Sequence, residues 1–157
     1  MILVGLVSFS SFALFSNEDK SKEATDLLAY EKNTIGIFKE VAPSVVNVSN
    51  IQLARRGGLW FDSSYEEVPA GAGTGFVWDK EGHIVTNFHV VQGGTKFLIT
   101  FRKDKTQYEA KVVGAAPSKD IAVLKLIKKP KQLFPITPGK SKTLEVGQKA
   151  MAIGNPF

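Results

Sequence analysis

Apolar and polar residues alternate with a period of two through six short stretches of the chain: residues 44–51, 73–78, 83–87, 96–101, 108–114 and 121–127. Successive side chains of a strand point to opposite faces, so this alternation, rich in Val, Ile, Thr and Phe, predicts six β-strands. Asp79-Lys80-Glu81-Gly82 and Gln92-Gly93-Gly94 carry the residues that tight turns need, and Arg102-Lys103-Asp104-Lys105 does so more weakly. No long helical pattern separates the strands. The reading is therefore all-β, an antiparallel barrel or sandwich rather than a βαβ sheet.

The flanking segments have other patterns. Residues 1–16 are uncharged and largely apolar, then Asn17-Glu18-Asp19-Lys20 turns polar. That stretch falls short of the roughly 20 apolar residues that cross a bilayer and is nearer the core of an export signal, so a signal peptide or membrane anchor is expected there. Residues 17–32 read as linker or helix, and Ile35, Ile37 and Phe38 mark a short amphipathic helix over 33–41 that Pro43 ends. Residues 52–70, with Arg55, Arg56, Trp60, Phe61, Glu66 and Glu67, read as a long loop, either a mobile surface segment or a functional one. Residues 128–146, with Pro130, Pro135 and Pro138 among lysines, read as an extended linker. Beyond it, residues 147–157 begin a new apolar strand, and the expectation is that the rest of a second domain has been lost from the chain.

Composition narrows the chemistry. The 157 residues are 43% hydrophobic and 22% charged, as in an ordinary single folded domain. Cysteine is absent, which excludes disulfides and thiolate sites and leaves folding to core packing. The net charge of +5 is spread over scattered lysines, and Phe134 is the sole aromatic between Lys125 and Lys149, so a solvated linker is favoured over a nucleic-acid surface. Gly71, Gly73 and Gly75 do not make a dinucleotide fingerprint, because Phe76 comes next and no βαβ unit surrounds them. Two histidines six apart, without cysteine or helical spacing, give no zinc site, and no cofactor is expected.

General-base chemistry has two candidates. His83 comes after Gly82 at an expected exposed turn; His89, beside Phe88, Val90 and Val91, is expected to be semi-buried and held. Alone, His89 could be a core histidine bonded to backbone, and Asp120, which opens a strand after Ala116-Pro117-Ser118-Lys119, could be a loop cap. Together their surroundings are more specific. Val85-Thr86-Asn87-Phe88-His89-Val90-Val91 resembles the catalytic-histidine motif of the HtrA (Deg) serine proteases, a branch of the chymotrypsin-like clan. Ser118-Lys119-Asp120-Ile121-Ala122-Val123-Leu124-Lys125 resembles that family's catalytic-aspartate strand. Val41 to Val46, Gly71 to Phe76 and Gly147 to Phe157 are similar, in the same order, to further segments of the family.

The resemblance implies the first six-stranded barrel of a two-barrel fold over 33–127, with 147–157 opening the second. It implies that His89 moves the proton of a serine hydroxyl and that Asp120 holds the imidazole in its tautomer. It also implies unfolded or damaged exported polypeptides as substrates, a periplasmic place or an anchor on the outer face of the inner membrane through residues 1–16, and a homotrimer. For residues 52–70 it implies a loop that adjusts activity or oligomer contacts. In the family the serine lies in a Gly-Asn-Ser-Gly-Gly loop of the second barrel, and no serine here has that setting. The expectation is an HtrA-like endopeptidase segment that is inactive alone; the alternative is a non-enzymatic pseudoprotease or a holdase-like module that binds clients through apolar surface.

Overall fold

The computed structural model describes residues 27–57 and 63–155. Residues 1–16, expected to be a signal or anchor, and 17–26 of the expected linker lie outside the described residues, as do Trp60 and Phe61. The chain divides into two compact units, Met1–Ile35 and Gly36–Phe157. None of the described helices is long and apolar enough to cross a membrane.

Helix α1, Ala29–Val41, begins four residues earlier than the amphipathic pattern predicts. The Glu31 carboxylate accepts the Leu28 N–H at 2.8 Å, half of a capping box that a search for apolar periodicity overlooks. Ile35, Ile37 and Phe38 remain over a third exposed, so the expected apolar face is not a buried one. The Arg102 guanidinium lies 4.8 Å from the centroid of the Phe38 ring. A 3₁₀ turn, Ala42–Ser44, with Pro43 inside it, ends the helical segment.

Six strands come after it: β1 Val45–Gly57, β2 Ser63–Val77, β3 His83–Thr86, β4 Lys96–Phe101, β5 Gln107–Ala116 and β6 Ile121–Leu126. All neighbours are antiparallel and close into a barrel in the order β1-β2-β3-β6-β5-β4, with β4 returning to β1. Closure removes the unpaired edges that an open sheet of this size would expose. The inward residues of the alternation, among them Val46, Val48, Ile84, Ile99, Ala122 and Leu124, are fully buried and form the core. Tyr108 packs edge-on against Phe101, with 5.5 Å between ring centroids.

Two expectations are corrected. The segment read as a loop over 52–70 is paired backbone: β1 and β2 run on past the barrel from Ile51↔Pro69 to Gly57↔Ser63. β4 reaches only as far as Ile51, so this arm has no other strand beside it, and its Leu53 and Tyr65 are exposed. With one partner and no core beneath it, the arm needs no burial pattern, which is why alternation does not reveal it. Residues 147–155 form no strand, because no other described segment pairs with them. They lie along the barrel instead: Asn155 N–H donates to Thr74 Oγ1 at 3.1 Å, and Asn47 Nδ2 donates to the Asn155 carbonyl at 3.2 Å. Earlier in the same stretch, Ile136 N–H donates to the Val77 carbonyl.

Candidate active site

The register of β3 against β6, Thr86↔Ala122 and Val85↔Val123, brings the end of one strand beside the start of the other. Thr86 anchors that end, donating its hydroxyl to the Thr74 carbonyl at 2.8 Å. Asn87 is extended, and Phe88–Val91 then form a single helical turn, α2. Four residues cannot hold a helix by themselves, so the turn depends on what it packs against. Val91 joins the barrel core. Val90 lies over Gly73, where an added Cβ would run into Val90 Cγ2. Only a glycine lets the turn approach β2 that closely.

Opposite, the 3₁₀ turn Pro117–Lys119 leads into Asp120, whose N–H bonds the Pro117 carbonyl. Asp120 has φ 51° and ψ 43° and is the one non-glycine residue with positive φ among the described residues. Left-handed backbone is costly for most side chains and is tolerated by Asp; such outliers concentrate at functional sites.

Asp120 Oδ1 accepts the His89 backbone N–H at 2.9 Å, and Oδ2 lies 2.7 Å from His89 Nδ1. Asn87 Nδ2 donates to Oδ2 at 3.1 Å and to the Asp120 carbonyl at 3.2 Å. An ionised carboxylate only accepts, so Nδ1 carries its proton and the neutral ring keeps a lone pair on Nε2. The His89 backbone N–H, above all, and then its imidazole hold the Asp120 carboxyl below its ordinary value, with Asn87 adding to them against a smaller desolvation. A charged acceptor is thus fixed at both oxygens while the ring's other face stays open. The His89 side chain is 67% exposed and that of Asp120 46%. His89 is accordingly not semi-buried as expected: it lies on a turn just past the strand rather than within the sheet.

His83 is also placed differently from expectation. It opens β3, is 30% exposed in its side chain, and has Nδ1 2.5 Å from Asp79 Oδ2. Asp79 Oδ1 accepts the backbone N–H groups of Glu81 and His83 at 2.9 and 3.1 Å. Burial pushes the Asp79 carboxyl up, but the His83 N–H and imidazole outweigh it and leave the group below its ordinary value. Ligand atoms of Asp79, Glu81 and His83 lie within 4.8 Å of one another, yet the Asp79 oxygens are already taken by these donors. The group is a lock on a short turn. Composition and motif alone left two residues unnoticed: Asn87, the second donor to Asp120, and Gly73 as the seat of Val90. For Asn87 the signal was a polar amide between the strand and the histidine.

Residues 73–157 match the family of trypsin-like peptidase domains. The chain is 43% identical to chloroplastic Protease Do-like 1 of Arabidopsis thaliana over 96% of its own length and 35% of that protein's. It is 36% identical to chloroplastic Protease Do-like 5 of the same plant, over 92% and 48%. A probable periplasmic serine endoprotease of DegP-like type from Chlamydia trachomatis is 44% identical over 54% of this chain and 16% of that one. The crystal structure of Deg5 aligns with a TM-score of 0.59 at 32% identity, covering 78% of this chain and 56% of its own. The chain belongs to the trypsin-like peptidase domain family, in its HtrA/Deg branch. It spans about a third to a half of the length of the two plant relatives.

Proposed function

We propose that this chain supplies the base and its orienting carboxylate to a serine endopeptidase, with His89 as the base and Asp120 as the orienter. The two-point contact between Asp120 and His89, through backbone N–H and Nδ1, carries this reading. It fixes the tautomer in which Nε2 can take a proton from a serine hydroxyl and return it to the leaving amine, and it stabilises the imidazolium formed in between. The nucleophile and the oxyanion donors belong to a second barrel, so the 157 residues alone do not cleave peptide bonds. The substrates are unfolded or damaged polypeptides, handled in an exported compartment or an organelle lumen. This place is in line with relatives named chloroplastic and periplasmic.

The test joins the chain to a second barrel that carries Gly-Asn-Ser-Gly-Gly and tracks degradation of unfolded casein. His89→Ala abolishes cleavage, and Asp120→Asn lowers kcat by roughly four orders of magnitude, since a neutral amide can hold the wrong tautomer. Full activity of either variant overturns the assignment. Casein cleavage by the unextended chain that disappears in His89→Ala overturns the claim that it is inactive alone, and the pseudoprotease reading gains if the joined protein is inert.

A further inference from the structure

We propose that Asn50, on β1, is a positioning residue for His89, its buried side-chain amide clamping the carbonyl end of the helical turn that carries the imidazole. The inference rests on His89 being the base. Asn50 shares the inward face of β1 with Val46 and Val48 and is 4% exposed. Amides are poor strand formers and are rarely put at core positions, so this one calls for a reason.

The carbonyls of α2 supply that reason. A helix leaves its last carbonyls without intrahelical donors, and a helix of one turn leaves nearly all of them so. Gly94 N–H serves Val91 O at 3.2 Å. Asn50 Nδ2 donates to Val90 O at 2.9 Å and to Gln92 O at 3.2 Å, using its two protons on two carbonyls 40 and 42 residues away. The reverse amide orientation would set Oδ1 against two carbonyl oxygens, so chemistry fixes the amide as found. Oδ1 itself is buried without a hydrogen-bond partner among the described residues, a cost that an apolar side chain would avoid. The amide is thus retained for its donors.

The neighbouring glycines fit this role. Gly93 has φ 71°, which lets the chain reverse after Gln92. At Gly94 a Cβ would collide with Asn50 Oδ1, so the second glycine makes room for the amide. The turn is thereby fixed from three sides: Gly73 behind Val90, Asp120 on the His89 N–H, and Asn50 on the carbonyls of Val90 and Gln92.

The test uses NMR on the 157-residue chain as wild type, Asn50→Ala and Asn50→Ser. Exchange of the His89 amide and titration of the Asp120 carboxyl report the contact, with Asp79 and the amides of Ile99 and Leu124 as references. In Asn50→Ala the His89 amide exchanges about 10-fold faster or more, as local opening predicts. The Asp120 carboxyl moves up toward its ordinary value while Asp79 and the core amides stay put. Asn50→Ser, with one donor on a shorter arm, moves the same two readouts less, and serves if Asn50→Ala does not fold. A folded variant with unchanged His89 exchange and Asp120 titration overturns the proposal, as does a uniform rise at all amides, which marks plain destabilisation. None of these readouts needs proteolysis, so the His89→Ala cleavage assay can fail while this result stands, and the reverse.

Discussion

At the scale of single residues, the molecule uses histidine and aspartate together twice, with different consequences. His83 and Asp79 lie four residues apart and close a local turn, whereas His89 and Asp120 meet across 31 residues of chain and leave the imidazole open. Both carboxyls, like that of Asp104 beside Thr106 and Tyr108, lie below their ordinary value of 3.8 when folded. The unfolded chain therefore binds protons first on acidification. The stability these groups contribute is complete above the ordinary value and is lost as the pH falls through the folded ones. Urea midpoints measured between about pH 6 and about pH 2.5 should drop at the acid end, and Asp120→Asn and Asp79→Asn should each flatten that drop. An unchanged acid slope in both variants would contradict the carboxylate contacts.

At the scale of elements, the short turn α2 has too few residues to be a helix by propensity and is defined by what it docks onto. Gly73 of β2 is the clearest case, since any Cβ there enters Val90. Gly73→Ala should cost about 1–3 kcal/mol in urea unfolding, the usual penalty of overpacking. Val90→Ala in that background should recover part of it, so the two changes should couple rather than add. Additive losses would show that the contact is not the cause. The arm of β1 and β2 is the opposite kind of element, strand by pairing alone, with Leu53 and Tyr65 exposed. A reading that seeks a buried face finds a loop in such a segment, and it fails for the same reason at helix residues 29–32, where a side-chain cap and not periodicity sets the start.

At the scale of the whole molecule, the barrel is closed and the tail is not part of its sheet. Amides of residues 46–50, 97–99 and 122–124, paired within the ring, should exchange slowest, and those of 139–152, largely exposed and without strand partners, fastest. Mass-resolved hydrogen exchange would show this, and protection of 147–152 equal to that of β4 would refute the absence of a strand there. Much of this architecture was legible in the chain: the alternation marked the six barrel strands, and His89 and Asp120 stood in recognisable surroundings. Other features had no one-dimensional signal. Asn50 reads as one polar residue in an apolar strand until Val90 and Gln92 lie above it. Local alternation, turn residues and motif order determined the all-β class and the candidate pair, because those properties reside in neighbours along the chain. The tertiary structure alone decided that β3 meets β6 in the register that joins His89 to Asp120, that His83 is spent on its own turn, and that an amide and a glycine hold the histidine in place. Apart from the His83 turn, these are contacts between residues far apart in sequence, and only the closing of the barrel brings them together.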